Sequence, residues 1–558
     1  MQKIRRGVIT KENEDDDFLS HFSKIKLHNG YNDFEKDRKN WLTRCKKPPK
    51  QYQIQVVNTL MKPDVEVFSC LHCMGAGKTL TAILACEAFL ENEYKSSKTF
   101  KKAIIVTPAS LLQNFYSNLE GYGRSPEYIS QYYAFFSPEN AVSDIEAFQK
   151  ACLGNILVID EFHTLKTKIT VAKGDLPNKE KQVLWLGLPV IKGKCAAAVL
   201  IGAQMAKKVL VLSGTIIMNS QQDLQNLAIV HERGPIQDSM FSGKINLFDT
   251  NLSDALFELL KGKLSYLDQS FVKKDMPTWK ETVLLLEMPK LYLKEYMRLE
   301  QEDALAKDLM KDMTKEEKDL QKEVYVENMC GRGAFDSNVR MVASSMKSDL
   351  NIKIPIALQL IKLRGTPAII CTLWLDRGCE PCCRELEKFG FKYALLTGKQ
   401  KDWEKKKAVE DFNNGKLDVI VLSKAGSTGI SLKGTKTLIN LNPQWSEALK
   451  LQTMFRGIRV GSHSHLPPEE RHVWVYNLLI IKPEEAKGAL EQIKEYIREG
   501  VAGAPHKVRY LCDPSDYTRP EPNGILSTDL ALFDHQIRKA RISRNVYDDI
   551  LKKASIKL

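Results

Sequence analysis

The 558-residue sequence predicts an α/β protein: two doubly wound lobes in tandem, with helical insertions and a C-terminal extension. Three observations predict this class. Short apolar runs each stop abruptly at polar or small residues, the pattern of buried parallel strands whose C-terminal ends line one ligand-binding edge. One of them leads into Met74-Gly75-Ala76-Gly77-Lys78-Thr79, followed by a helix-like run from Leu80 to Leu90. A second series of such runs begins near Asn351 and has no glycine-rich loop of its own.

Composition narrows the class. The hydrophobic share of 43% is that of a globular protein. Lys and Arg number 82 against 69 Asp and Glu, a net charge of +13, which favours an anionic partner such as nucleic acid. Twelve thinly spread cysteines suggest no compact disulfide framework and fit a reducing compartment. No apolar run is long enough to span a bilayer, and the first residues lack a secretory signal, so a soluble intracellular protein is expected. Composition shifts divide the chain into a charged N-terminal extension (1–48), a first lobe (49–232), a linker with a helical insertion (233–349), a second lobe (350–485) and a C-terminal extension (486–558).

The elements follow in order. Gln53 precedes Val56, Val57 and Leu60 at helical spacing, and its amide offers an adenine edge both a donor and an acceptor. The strand-like run Val65 to Leu71 delivers the glycine-rich turn. Glycine lets the backbone approach a polyphosphate, and the following helix N-terminus adds a partial positive charge. Lys78 reaches the β- and γ-phosphates, and the Thr79 hydroxyl ligates Mg²⁺. The longer form of this loop has a glycine five residues before Gly77, where His72 stands. Ala103 to Val106 ends at Thr107-Pro108. Ile156 to Ile159 runs into Asp160-Glu161-Phe162-His163, where Asp160 can hold Mg²⁺, Glu161 can polarise an attacking water and His163 can link to the next strand. Val209 to Leu212 ends in Ser213-Gly214-Thr215.

Lys166 to Lys194 shows no period and reads as a loop or an inserted hairpin. Glu281 to Met288 reads as a strand. Pro289 to Met329 reads as a long solvated helix with Leu291, Leu293, Tyr296, Leu299, Leu305 and Leu309 on its apolar face. In the second lobe, strands are expected at 367–372, 393–396, 418–422 and 437–441, the third ending in a loop that holds Gly426 and Gly429. A helix-like segment from Ser446 carries Gln452, Arg456 and Arg459. Arginines donated across a cleft stabilise charge on a transferring γ-phosphoryl, which places the nucleotide between the two lobes. Cys379-Glu380-Pro381-Cys382-Cys383 has no second cysteine pair at ligand spacing nearby, so no zinc site is expected there. An amphipathic basic helix is expected over Ile542 to Ile550.

Taken in this order, the motifs resemble those of the superfamily 2 DExH helicases and translocases over residues 48–485, with the Gly-Thr form after Ser213, and Asn219 beyond it, pointing to the SNF2-like group. A narrower resemblance is to the nucleoside triphosphatase I and early transcription factor helicases of large cytoplasmic DNA viruses. It rests on Arg459-Val460-Gly461-Ser462-His463, Leu466-Pro467-Pro468, Arg471 with Val473, and the tail Ile542 to Leu558. Phe455 departs from the acidic residue that SNF2-like motors often carry before the arginine. The resemblance implies two RecA-like lobes that hydrolyse ATP with Mg²⁺. Gln53, Met74, Gly75, Ala76, Gly77, Lys78, Thr79 and Gln452 would bind the nucleotide, and Thr79 with Asp160 the metal. Lys78, Asp160, Glu161, Arg456 and Arg459 would be catalytic. Thr107, His163, Ser213, Thr215, Gly426 and Gly429 would couple ATP to nucleic acid. It implies DNA more than RNA as partner, RNA polymerase or other transcription proteins as associates, no membrane, and a virion or host-cytoplasm location if viral, otherwise nuclear.

Three functions compete on the sequence: a DNA-dependent ATPase that translocates in viral transcription, a strand-unwinding helicase in replication or transcription, and a DNA-binding scaffold of a virion or transcription complex. A small-molecule kinase ranks last, having no use for the two arginines. A strand-splitting hairpin would favour unwinding, and the sequence alone identifies none.

Overall fold

The structure, a computed structural model, describes residues 49–98, 100–165, 167–172, 183–214, 224–234, 254–311, 337–344, 351–423, 426, 429–485, 508–512, 526–546 and 551–556. The charged extension 1–48, Thr215 and Asn219 lie outside them. Two compact units form, Met1–Phe271 with Arg541–Leu558, and Val272–Ala540.

The first unit opens with helix Gln51–Leu60, whose Ile54, Val56, Val57 and Leu60 are buried. Strand β1 (Val67–His72) is buried along its whole length, as a strand covered on both faces must be. Helix Lys78–Ser97 follows it. Next come β2 (Ala103–Val106), β3 (Tyr133–Phe136), β4 (Ile156–Ile159), β5 (Thr170–Val171), β6 (Leu184–Trp185), β7 (Leu188–Lys192), β8 (Lys208–Leu212) and β9 (Leu264–Leu267). Six of these make one sheet in the order β3-β2-β4-β8-β1-β9, with every pairing parallel. Successive side chains alternate between two cores. Val67, Leu71, Leu157 and Ile159 enter one, and Phe68, Cys70, Ile156 and Val158 the other. This topology brings Cys73 to Gly77, Thr107, Asp160 and Ser213 to one sheet edge.

Strands β5 to β7 form a separate antiparallel sheet, ordered β5-β7-β6, inserted between β4 and β8. The unpatterned stretch after His163 is therefore a hairpin with a third short strand. At the far edge, the C-terminal tail joins the first unit. Leu551 and Ala554 are buried in its core, and Ile556 N donates to Leu264 O at 2.9 Å.

The second unit contains β10 (Thr278–Glu287), β11 (Ala368–Thr372), β12 (Tyr393–Leu396), β13 (Val419–Ser423), β14 (Thr437–Asn440), β15 (His472–Ile481) and β16 (Val508–Cys512). Their order is β12-β13-β11-β14-β15-β10-β16. Among the described residues only β16 pairs antiparallel in this sheet, against β10. Lys353 and Asp529 form a buried pair. The ammonium also donates to Leu441 O at 2.6 Å, and the carboxylate accepts from Ile480 N at 3.0 Å.

Two expectations, both of helices, are corrected. The 233–349 segment supplies β9 to the first sheet and β10, expected as a strand over Glu281 to Met288, to the second. Strand β9 has only four residues, too few to show a period against its surroundings. The helix after β10 runs Lys290–Lys311 and buries Tyr292 and Tyr296, while Leu291 is 72% exposed. Leu293 and Leu299 pack on the same core as Tyr296, so the expected face departs at Leu291, while residues 312–329 lie outside the described part. The C-terminal helix begins earlier, at Thr528, and runs to Val546, with Leu530, Phe533 and Ile537 against Val283, Leu285, Leu479 and Ile481. Residues 547–550 lie outside the described part.

Candidate active site

In the first unit the glycine-rich turn is braced from behind. Tyr52 Oη donates to Ala76 O at 2.7 Å, and Gln53 Nε2 donates to Gly77 O at 3.0 Å. Gln53 Oε1 accepts from Lys50 N at 2.8 Å. One amide hydrogen and one acceptor lone pair of Gln53 remain for a base edge. Gly77 sits at φ 78°, and a Cβ there would lie 2.8 Å from Gln53 Nε2, so only glycine fits. Sequence reasoning singled out Gln53 but missed Tyr52, the residue beside it. Its partner is 24 residues away, and no local pattern reports that contact.

Helix Lys78–Ser97 starts directly from this turn, so the turn amides and the helix N-terminus face the same space. Lys78 Nζ donates to His72 O at 3.0 Å and approaches Cys73 O at 3.5 Å. A phosphate would offer that ammonium a charged acceptor in place of two neutral carbonyls. His72, at the position where a glycine was expected, is fully buried, and its Nε2 is 2.8 Å from Ser265 Oγ on β9. Burial, aided by the Lys78 charge, depresses its pKa to about 3, so it is neutral. Burial pushes the Cys73 thiol up to about 11, which leaves it unreactive.

Asp160 stands at the half-buried end of β4. Burial, with Glu161 adding and Lys78 opposing, raises its carboxyl to about 7. Thr107 Oγ1 reaches Asp160 Oδ2 at 3.5 Å, which turns Thr107 toward the carboxylates. Glu161 adopts φ 52°, left-handed backbone that side-chain-bearing residues seldom take. The turn aims its carboxylate at His163, whose Nδ1 lies 3.3 Å from Glu161 Oε2. The same Nδ1 lies 3.3 Å from Ser213 Oγ, at the end of β8. Glu161, His163 and Ser213 thus form one polar chain across two strand ends. Thr215 is outside the described residues.

In the second unit the helix that carries Gln452 ends at Met454. Arg456 and Arg459 stand beyond it, on the turn at its end. The chain turns because it must pass close to the sheet. A Cβ on Gly457 would lie 2.7 Å from Ile369 Cδ1. Leu432 N donates to Arg456 O at 2.9 Å, and Ser462 Oγ donates to Arg459 O at 2.8 Å, so two loops fix the turn. Burial disfavours the charged form of Arg459, and no carboxylate pairs with it among the described residues. Gly426 follows β13 so closely that a Cβ would lie 1.9 Å from Leu396 O, and Gly429 has φ 74°. Among the described residues, no helix is long and apolar enough to cross a membrane.

Known proteins match this arrangement. Residues 52–332 match the SNF2-related domain, and residues 352–461 the helicase conserved C-terminal domain. The chain is 26% identical over 432 residues to a protein of Acanthamoeba polyphaga mimivirus named as an ATP-dependent RNA helicase, covering 74% of this chain and 85% of that protein. It is 34% identical over 113 residues to nucleoside triphosphatase I of Heliothis armigera entomopoxvirus, covering 19% of this chain and 17% of the relative. A termination factor NPH-I homolog of African swine fever virus is 34% identical over 88 residues, covering 15% of this chain and 12% of the relative. The SNF2-related match spans half of the sequence and the helicase C-terminal match follows it, so the chain belongs to the SNF2-related family and is a nucleoside triphosphatase of the helicase class.

Proposed function

We propose that this protein is an ATP-dependent motor on nucleic acid, DNA before RNA, serving viral transcription. The observation that carries the reading is the Glu161–His163–Ser213 chain beside Asp160 and Lys78. Glu161 accepts the proton of the attacking water. His163 holds the Glu161 carboxylate and passes its position to Ser213, at the end of a neighbouring strand. Lys78 and the turn amides bind the phosphates, Gln53 and Gln452 the nucleoside end, and Arg456 and Arg459 of the second unit neutralise charge on the γ-phosphoryl. Thr79 and Asp160 would hold Mg²⁺, which when bound neutralises phosphate charge. Both are hard oxygen donors, and the half-buried Asp160 carboxylate gains from an adjacent cation. Phosphate contacts dominate nucleic-acid affinity, so binding weakens steeply with salt. The transcription role is supported by the relatives named nucleoside triphosphatase I and termination factor. RNA polymerase and other transcription proteins are the proposed associates.

The test is ATP hydrolysis with no nucleic acid, single-stranded DNA, duplex DNA and RNA, with Glu161→Gln as control. Stimulation by DNA that vanishes in the variant supports the motor. Activity indifferent to every nucleic acid removes it and favours the scaffold.

A further inference from the structure

The inserted sheet has an unusual surface. Val183, Trp185 and Val190 point inward and are buried in the core of the first unit. Leu184 and Ile191 stand on the opposite face and Leu186 and Leu188 at the tip, and all four are 44% to 66% exposed. Four large aliphatic side chains therefore meet solvent on one short ribbon, two of them on its outer face and two at its tip, where polar residues would ordinarily stand. At the tip, Leu186 and Gly187 form a two-residue turn with φ 54° and 80°. Such turns favour Asn, Asp or Gly at the first position. An aliphatic residue retained in that conformation points from strain to a role.

The root of the ribbon is rigid. Ala172 N donates to Pro189 O at 2.8 Å, and Asn226 Nδ2 reaches Leu165 O and, at 3.3 Å, Thr167 O. A Cβ on Gly193 would lie 2.9 Å from Lys168 O, so the ribbon's two ends are pressed together. The insertion leaves the sheet directly after Asp160 to His163, at the edge that carries the phosphate loop. Its charge is one-sided. Residues 166–194 contain seven lysines and two acidic residues, and Lys168, Lys192 and Lys194 are exposed. Apolar side chains flanked by cations fit a stack of bases between phosphates, because aliphatic wedges enter base steps while lysines neutralise the backbone.

We propose that the hairpin is a wedge that enters the base stack of nucleic acid at a junction between duplex and single strand, with Leu186 and Leu188 as the inserting side chains. The inference rests on the motor reading above and deepens it toward strand separation.

The full-length protein is tested with ATP on forked DNA duplexes carrying 2-aminopurine at the junction, with a forked RNA duplex as a second arm. Leu186→Gly keeps the turn and removes the tip, and Leu186→Ser with Leu188→Ser changes exposed positions only. Both variants are expected to lose roughly tenfold in strand displacement and to lose the junction fluorescence change, while ATPase stimulated by single-stranded DNA stays within about twofold. Variants that displace strands at the wild-type rate overturn the wedge. So does a wild-type protein that is stimulated by nucleic acid yet separates neither fork and leaves the probe unchanged. ATPase that ignores nucleic acid overturns the motor reading itself, and the wedge with it.

Discussion

The two units solve the same problem in different ways. In the first, the groups proposed to face a nucleotide are already engaged with the protein. Tyr52 and Gln53 brace the turn, Lys78 rests on carbonyls, and Glu161 is held by His163. In the second, Arg459 is half-buried and has no carboxylate partner among the described residues. A site held by internal hydrogen bonds keeps its shape without ligand. A half-buried guanidinium without a carboxylate gains most when a phosphate arrives. The difference teaches that the first unit stores geometry and the second stores electrostatic drive.

The largest expected effect breaks the second half of this comparison. Arg459→Ala should lower kcat by about 10³–10⁵, the range for an arginine on a transferring phosphoryl. ATP affinity, measured by equilibrium binding of a fluorescent nucleotide, should stay within a few-fold. Arg459→Lys should recover little, because a point charge lacks the planar fork. Equal losses in affinity and turnover would show that Arg459 binds rather than drives.

A second variant separates geometry from stability in the first unit. Glu161→Gly removes the carboxylate and relieves the left-handed backbone. Turnover should fall by about 10²–10⁴, the value of a positioned general base. Thermal denaturation should show stability raised by about 1 kcal/mol. A loss of stability would mean that the His163 contact outweighs the strain.

The buried Lys353–Asp529 pair asks how much of the second unit depends on electrostatics alone. Lys353→Ala leaves an uncompensated buried carboxylate and should cost about 3–5 kcal/mol, read by chemical denaturation. The smallest effect is expected from Tyr52→Phe, which deletes one hydrogen bond to the phosphate turn. It should cost about 0.5–1.5 kcal/mol and weaken ATP binding by several-fold. An unchanged nucleotide affinity would show that Gln53 alone holds the turn.

What could be read in the chain follows contact range. The glycine-rich turn is contiguous, and its chemistry depends on neighbouring residues, so Gly77, Lys78 and Thr79 announce it directly. The strand-end Asp160-Glu161 pair is equally local. Tyr52 was not legible, because its role exists only through Ala76. Thr107, expected to couple ATP to nucleic acid, reaches Asp160 across two adjacent strands, a contact that no local pattern reports. The ribbon at 184–191 was legible as a loop or an inserted hairpin, but not which of its apolar side chains stay exposed, since that depends on what the lobe covers.

The sequence by itself determined the two α/β lobes, because buried parallel strands need continuous apolar runs and phosphate turns need glycine. It also determined the order of the motifs along the chain. Tertiary structure alone decided that the helix under Gln452 stops at Met454, that β9 and the tail residues 551–556 complete the first unit, and that Leu184, Leu186, Leu188 and Ile191 stay exposed. Each of these depends on what a distant segment covers, and local propensity carries no information about that.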